Sequence, residues 1–350
     1  MKGCVIALDE VAGRKAAALI VDGRLQDMRI DPPENDPSPE IGEIYRAKVA
    51  RAMGGQGGVI VTLPDGQSGF LRGVKGLEQG ASVIVQVMGY AEGNKAAPVT
   101  TRLLFKSRYA IVTPAAAGFN IARSIRDEED RDHLLELAHE AMEGAPEDFG
   151  VIIRSASAEA ADEDIVEDVS AMRALAEAVV ADMNGAPELL VAAPTSHEIA
   201  WRDWTSPMPD EVVESPTAFA DLGVEEAVDT LLSPRVELGG GAWAMFEPTA
   251  ALLAIDVNTG GDLSLAAGLK ANLALVRDLP RQLRLRGLSG QITMDLAPMP
   301  KKDRRLFEDK LRSALRSDAT DTVLAGWTPL GHFELQRKRD RAPLHEIWPS

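Results

Sequence analysis

Apolar positions near the start of the chain fall in two short runs, residues 4–8 and 16–21, separated by Ala12-Gly13-Arg14. Runs this short around a glycine turn predict the two strands of a hairpin. Four prolines (Pro32, Pro33, Pro37 and Pro39) then crowd the segment 31–39, which excludes helix or sheet interior and marks a linker. From Ile41 to Thr101, β-rich pieces at 44–50, 58–63, 69–71, 82–88 and 97–101 alternate with glycine-rich turns. Five short strands in about 60 residues predict a small closed barrel. Residues 127–143 place Leu134, Leu135, Leu137, Ala138 and Met142 at helical spacing, and 158–183 form a second helix rich in alanine and acid. Between them, 151–154 is a strand that ends on Arg154, with Ser155 next. Pro187 to Pro216 offers few clear elements.

The last third is more regular. Residues 252–256 form a strand ending in Asp256, and 265–286 a helix with Leu265, Leu269, Leu273, Val276 and Leu283 on one face. Residues 291–295 form a strand ending in Asp295, and 301–317 a basic helix. Strand, helix, strand, helix predicts a parallel pair under crossover helices. Pro280 removes one hydrogen bond from the first of these helices and predicts a kink.

Composition narrows the class. The chain has 350 residues, 45% hydrophobic and 26% charged, which excludes a wholly disordered protein. Aromatics make up only 5%, so aliphatic side chains must build the cores. Cys4 is the one cysteine, which excludes an internal disulfide and a multi-cysteine zinc site. No apolar run reaches the roughly 18 residues of a membrane span, and the short apolar start, ending at Asp9, is no signal peptide. A reducing cytoplasm is the expected location. The net charge of −17 argues against a general polyanion binder, but it is uneven. Residues 270–316 hold twelve basic and five acidic side chains, and Arg337, Lys338, Arg339 and Arg341 follow. Such a region can guide a polyanion to one face, or simply be a solvated helix surface.

Two adjacent parallel strands that both end in aspartate bring two carboxylates to one edge of a sheet, where ligands of such sheets bind. Close carboxylates repel and need a cation; oxygen-only ligands favour Mg²⁺. Asn258, two residues past Asp256, can orient one carboxylate or a water. The alternative is that both aspartates cap the following helices.

The surrounding residues decide between these. Ala254 to Gly261, then Arg281-Gln282-Leu283-Arg284-Leu285-Arg286-Gly287, then Ile292-Thr293-Met294-Asp295 resemble the catalytic core of the ribonuclease E/G family. Val236 to Gly241 and Glu247 to Ala251 match the entry to that core. The resemblance implies that Asp256 and Asp295 bind Mg²⁺ in a DNase I-like subdomain and that Asn258 positions Asp256. Residues 41–49 and Gly69-Phe70-Leu71 resemble the family's S1-type OB barrel, and Gly93-Asn94-Lys95 a loop before its last strand. This implies that Phe70 stacks a base and Lys95 meets the RNA backbone; the alternative for Phe70 is a barrel-core residue. A second stacking aromatic of the family is Ile60 here. Val151 to Ser155 resembles the family's 5′-sensor strand, so that Arg154 and Ser155, with Arg123, would grip a 5′-monophosphate. A further family arginine falls at Thr322.

The fold implied is α/β with several subdomains. An RNase H-like scaffold (1–39 and 185–235, shortened) carries an inserted S1 barrel (40–105) and a 5′-sensor region (106–184). A DNase I-like catalytic subdomain (236–350) follows. The activity implied is Mg²⁺-dependent endonucleolytic cleavage of single-stranded RNA to 5′-phosphate and 3′-hydroxyl ends. Arg281, Arg284 and Arg286 are candidates to hold flanking phosphates; the alternative for each is a surface or packing arginine. The alternative is a weakly active or inactive RNA-binding protein of the same fold. No Cys-Pro-x-Cys link is present, so a zinc-bridged tetramer is not expected, while another oligomer stays open.

Overall fold

The amino-terminal hairpin forms from β1 (Cys4–Val11) and β2 (Arg14–Val21), and a third strand, β3 (Arg24–Ile30), extends it. Both turns have two residues with positive φ, Ala12 and Gly13 (52° and 75°) then Asp22 and Gly23 (51° and 73°). Turns of that hand match the twist of the strands they join. The structure, a computed structural model, describes residues 2–53, 57–74, 76–91, 93 and 95–349. The chain divides into two units, Met1–Pro32 with Val212–Ser350, and Pro33–Glu211.

The second unit opens with the barrel: β4 (Ile44–Met53), β5 (Gly58–Thr62), β6 (Ser68–Arg72), β7 (Ser82–Val87) and β8 (Ala97–Thr100), closed by pairing of β4 with β7. Alternate residues Tyr45, Ala47, Val49, Val59, Val61, Val83, Val85, Val87, Ala97 and Val99 fill its interior, the period-two pattern that strands impose. Gly69 is required there, because a Cβ would lie 2.9–3.0 Å from Val61 and Val99. The unit continues with β9 (Phe105–Lys106), β10 (Ala110–Thr113), β11 (Gly118–Ile121), α1 (Glu128–Ala141), β12 (Gly150–Ile153), α2 (Asp162–Ala181), β13 (Glu188–Val191) and α3 (Ser196–Asp203). Strands β9–β12 make a four-stranded sheet packed on α1 and α2. Asp127 caps α1, accepting from the backbone N–H groups of Glu129 and Asp130. The stretch 187–216, expected to be nearly featureless, supplies β13, which pairs with β4, and α3, which starts on a Thr195–Glu198 capping box.

The first unit resumes with β14 (Glu211–Glu214), which joins β1 at the edge of the hairpin sheet, then α4 (Ala218–Asp221) and α5 (Val224–Leu232). Phe219, Val228 and Leu231 pack onto Val5, Ala18 and Ile20 of that sheet. A second, mixed sheet follows: β15 (Arg235–Gly239), β16 (Ala242–Pro248), β17 (Leu253–Asn258), α6 (Leu265–Leu285), β18 (Gly290–Asp295), α7 (Arg304–Arg316), β19 (Thr322–Trp327) and β20 (Phe333–Arg337), with α8 (Leu344–Ile347) at the end. Its strand order is β15-β16-β17-β18-β20-β19, with only β17 and β18 parallel. One face is apolar: Phe246, Ile255, Val257, Ile292, Met294 and Leu335 meet Leu275, Leu279 and Leu283 of α6 and Phe307, Leu311 and Leu315 of α7. Helix α6 runs through Pro280 as one helix. Among the described residues, no helix is long and apolar enough to cross a membrane.

Candidate active site on an open sheet face

Because α6 and α7 cover only one face, the alternate residues of β16, β17 and β18 project from the other. Strands β17 and β18 run parallel with Asp256 directly opposite Asp295. Residues in register on neighbouring strands share a face, about 5 Å apart, the spacing between strands. Both carboxylates are exposed, Asp295 with 68% of its side chain open. They therefore lie on an open face near the carboxyl ends of the strands rather than beyond the edge: β17 runs on to Asn258, which returns to the same face and donates from Nδ2 to Asp256 Oδ2 at 2.7 Å. Neither aspartate takes the capping role considered above, since Ser264 caps α6 through the N–H of Ala267 and the chain after Asp295 enters a loop.

That loop is held from below. The buried Asn272 of α6 donates from Nδ2 to the Ala297 carbonyl at 2.8 Å and accepts from the Ala297 N–H at 3.0 Å. Gly268, one turn earlier, leaves room for the loop, since a Cβ there would sit 2.0 Å from the Pro298 carbonyl oxygen. Asn272→Ala is expected to leave both Ala297 groups unsatisfied and cost about 1–3 kcal/mol of stability. Thermal unfolding checks this, and an unchanged melting temperature would remove Asn272 as the anchor of the Asp295 loop.

His332, absent from the sequence reading, lies beside the pair: its Nε2 is 3.8 Å from Asp295 Oδ1. A tight turn fixes it. The Thr328 N–H donates to the His332 carbonyl (2.8 Å), and the His332 N–H donates to Thr328 Oγ1 (3.1 Å). Arg304 stacks over Trp327 at 4.2 Å, and Trp327 packs edge to face on Phe333 at 5.2 Å, so the turn rests on a rigid aromatic base. Lys301 and Lys302, both exposed, follow the Asp295 loop on a single 3-10 turn. Among the described residues no group of three or more His, Cys, Asp or Glu is arranged to hold a metal. The donor set is therefore two carboxylates with an amide behind one of them. That suits a hard cation which keeps most of its water and takes only one or two protein carboxylates.

The three arginines expected to hold phosphates are placed elsewhere. Helix α6 delivers the chain to Gly290, the start of β18, so Arg281, Arg284 and Arg286 lie toward the end of the sheet away from Asp295. Five residue steps at about 3.3 Å put the two ends of β18 roughly 16 Å apart. Arg281 is bidentate on Asp278 (2.7 and 3.1 Å) and donates to the Leu25 carbonyl. Arg284 donates to the Gln26 carbonyl at 2.8 Å and pairs with Asp318. Arg286 is only 6% exposed, donates to the Leu231 and Ser233 carbonyls, and is pulled down to about 10 by burial. These guanidinium groups tie α6 to the hairpin sheet and to α5 in place of the expected phosphate contacts.

In the barrel, Phe70 faces outward rather than into the core: its neighbours Gly69 and Leu71 are buried while it is half-buried. It pairs across the strands with Ile60 and lies over Gly58, where a Cβ would meet its ring at 2.7 Å. Arg72 is 6.0 Å from its ring centroid. Lys95 is exposed; Asn94 of the same loop lies outside the described residues. Arg123 and Ser155 are exposed at the ends of the parallel neighbours β11 and β12. Arg154 between them turns inward. It donates to the carbonyls of Ser107 (2.5 Å), Arg108 (3.1 Å) and Arg202 (3.1 Å) and to Asp203 Oδ1 (2.7 Å). Lys106 and Arg202 share that carboxylate. Burial alone would raise the Asp203 pKa, but Arg202 and Lys106 outweigh it and hold the group well below the usual carboxylate range. Thr322, where the family arginine falls, accepts from the buried Arg337 at 2.9 Å.

The model of the "Ribonuclease E/G family" matches residues 105–217 and 210–340. Ribonuclease E of Nostoc sp. is 26% identical over 88% of this chain and 52% of its own length. Ribonuclease G of Salmonella typhimurium is 26% identical over 88% of this chain and 74% of its own. Ribonuclease E of Synechocystis sp. is 28% identical over 76% and 45%. The chain thus spans about half the length of the ribonuclease E relatives and three quarters of the ribonuclease G relative.

Proposed function

Since the chain belongs to the ribonuclease E/G family, we propose that it is an endoribonuclease of RNA processing or decay. It cuts single-stranded RNA and leaves 5′-phosphate and 3′-hydroxyl ends. The observation that carries this reading is the Asp256–Asp295 pair, opposite in register on an open face, with Asn258 on one side and His332 on the other. Asp256 and Asp295 would hold Mg²⁺. Bound there, the ion would stabilise charge developing on a phosphodiester and lower the pKa of a bound water. Asn258 fixes the rotamer of Asp256, so the carboxylate does not swing away from its neighbour. Lys301 and Lys302, exposed just past the Asp295 loop, would meet flanking phosphates. On the barrel, Phe70 offers a flat ring to a base and Lys95 a charge to the backbone. The absence of an aromatic at Ile60 leaves that platform one ring wide.

The test is a cleavage assay on a 5′-monophosphorylated single-stranded RNA with and without Mg²⁺. Cleavage that needs the ion and spares a duplex of the same sequence supports the reading. Intact RNA, or cleavage that survives chelation, overturns it.

The 5′ end is a separate question. Arg123 and Ser155 remain available to a terminal phosphate, but the Arg154 guanidinium is engaged by three carbonyls and Asp203. A phosphate would have to compete with these partners. The expected result is a small preference, under about tenfold, for 5′-monophosphorylated over 5′-hydroxyl RNA, less than a full charge-assisted pair gives. Arg154→Ala should instead leave Asp203 short of a partner and lower the melting temperature. Rates on the two RNA ends, with a melting curve of the variant, check both halves. A preference above a hundredfold that vanishes in a normally stable Arg154→Ala protein would restore Arg154 as the phosphate ligand.

A further inference from the structure

Strand β16 alternates cleanly. Ala242, Ala244 and Phe246 are buried, while Trp243 and Met245 are half-buried on the open face. Register places Met245 opposite Asp256 and Trp243 opposite Asn258. Residues directly opposite on antiparallel strands lie about 5 Å apart at Cα. The indole is therefore the immediate neighbour of the amide that holds Asp256.

Trp243 does not behave as a packing residue. Among the other aromatics, Trp327 and Phe333 of the sheet and Phe307 of α7 stack on one another, and these with Phe246 of β16 belong to the hydrophobic core or pack against it. Trp243 is in neither group. Its ring is covered by the Arg235 guanidinium, 4.6 Å from the centroid. Arg235 is 49% exposed and held by Glu237 at 2.6 Å, itself 64% exposed. An open pair of this kind holds an arginine only weakly.

We propose that Trp243 is the stacking platform for a nucleobase next to the cleaved phosphodiester, and that Arg235 is its companion phosphate ligand. This rests on the endoribonuclease reading and adds a base subsite to it. The indole face already accepts one flat cation, the Arg235 guanidinium of the neighbouring strand. A nucleobase offers a larger plane, and stacking on an aromatic side chain strengthens binding by roughly five- to a hundredfold per base. An exposed cation–π contact is weaker, so the base displaces the guanidinium. Arg235 is then free to turn its fork of donors to the adjoining phosphate. Of the other described open-face residues around the carboxylates, Asn258, Thr293 and Glu334 are polar and Met245 is aliphatic, and the His332 imidazole is a smaller ring, so Trp243 offers the widest plane to a base there. A purine covers more of an indole than a pyrimidine does, so a purine is preferred at this position.

The test walks a single abasic or 2-aminopurine substitution through the nucleotides flanking the cleavage site of a short single-stranded RNA. Binding is read on the full chain carrying Asp295→Asn, which keeps the RNA intact, and cleavage on the unsubstituted chain. At one flanking position the abasic RNA should bind about five- to a hundredfold more weakly, and 2-aminopurine fluorescence should be quenched. Adding Trp243→Ala should remove both effects at that position alone, and Trp243→Phe should keep most of each. An abasic penalty of equal size with and without the Trp243 ring overturns the proposal, as does Trp243→Phe behaving like Trp243→Ala. Absence of cleavage by the unsubstituted chain overturns the activity instead, while the binding arm still decides the platform.

Discussion

Asp256→Asn and Asp295→Asn are each expected to lose cleavage by roughly a thousandfold or more, because each removes one of two charges that hold a cation worth several kcal/mol to the transition state. Asparagine keeps the size of the side chain, so the sheet is undisturbed. Both groups are exposed, so folding does not depend on either. Without metal the two carboxylates repel by about 1 kcal/mol at this separation in water, and either substitution relieves that repulsion. The variants should therefore melt at the same temperature as the parent or slightly above it in metal-free buffer. RNA binding through the barrel should persist. Asn258→Ala removes only the hydrogen bond that orients Asp256 and should cost about 10–100-fold, as loss of a partner behind a metal ligand commonly does. Cleavage rates, melting curves and RNA binding measured on the same preparations check all of this. Parent-level cleavage by both aspartate variants would place the chemistry elsewhere.

Legibility in the sequence followed the range of the interactions. The five barrel strands were visible because alternating aliphatics between glycine turns report a closed β surface directly, and the observed bounds differ from the expected ones by at most three residues. The carboxylate pair was visible because β17, α6 and β18 are consecutive, so local pattern alone predicts their parallel pairing. β3 was missed because its residues, Arg24–Ile30, are too polar to read as an apolar run, although Asp22-Gly23 is a hairpin signal. His332 was missed because it reaches Asp295 only through the non-local pairing of β20 with β18.

The surroundings of the arginines were illegible for a different reason. Charge patterning reads Arg281, Arg284, Arg286, Arg337 and Arg341 as a polyanion-guiding or solvated surface, and the resemblance reads Arg154 as a phosphate ligand. The structure turns each of them inward to carbonyls or carboxylates. Composition gives the number of positive charges but not which of them have an internal acceptor. Trp243 carried a usable signal that was passed over, since Ala242-Trp243-Ala244-Met245-Phe246 alternates as a half-open strand does.

Asp318→Ala is expected to be the most destabilising of these substitutions. The Asp318 side chain is completely buried and Arg337 only 2% exposed, with Arg337 Nη2 2.6 Å from Asp318 Oδ2. Arg284 pairs with the other oxygen of the same carboxylate. Burial pushes the Arg337 guanidinium pKa down and Asp318 opposes that shift. Alanine leaves two cations facing an emptied site. Arg284 keeps the Gln26 carbonyl and Asp27 at 3.6 Å, whereas Arg337 keeps the Thr322 hydroxyl and the more distant charge of Asp340. Breaking a buried pair from one side costs about 3–5 kcal/mol, which lowers the melting temperature by roughly 6–20 °C for a chain of this size. Replacing Arg337 as well, as Asp318→Ala with Arg337→Met, should recover part of that loss, because the stranded charge is then gone. The cluster sits at the Gly290–Arg337 end of β18 and β20, and the carboxylates lie toward the Met294–Phe333 end. Below its melting temperature the Asp318→Ala protein should therefore cleave RNA at close to the parent rate. Melting curves of the single and double variants, with cleavage measured at low temperature, separate stability from chemistry. A double variant less stable than Asp318→Ala would show that Arg337 contributes through its packing and not through its charge.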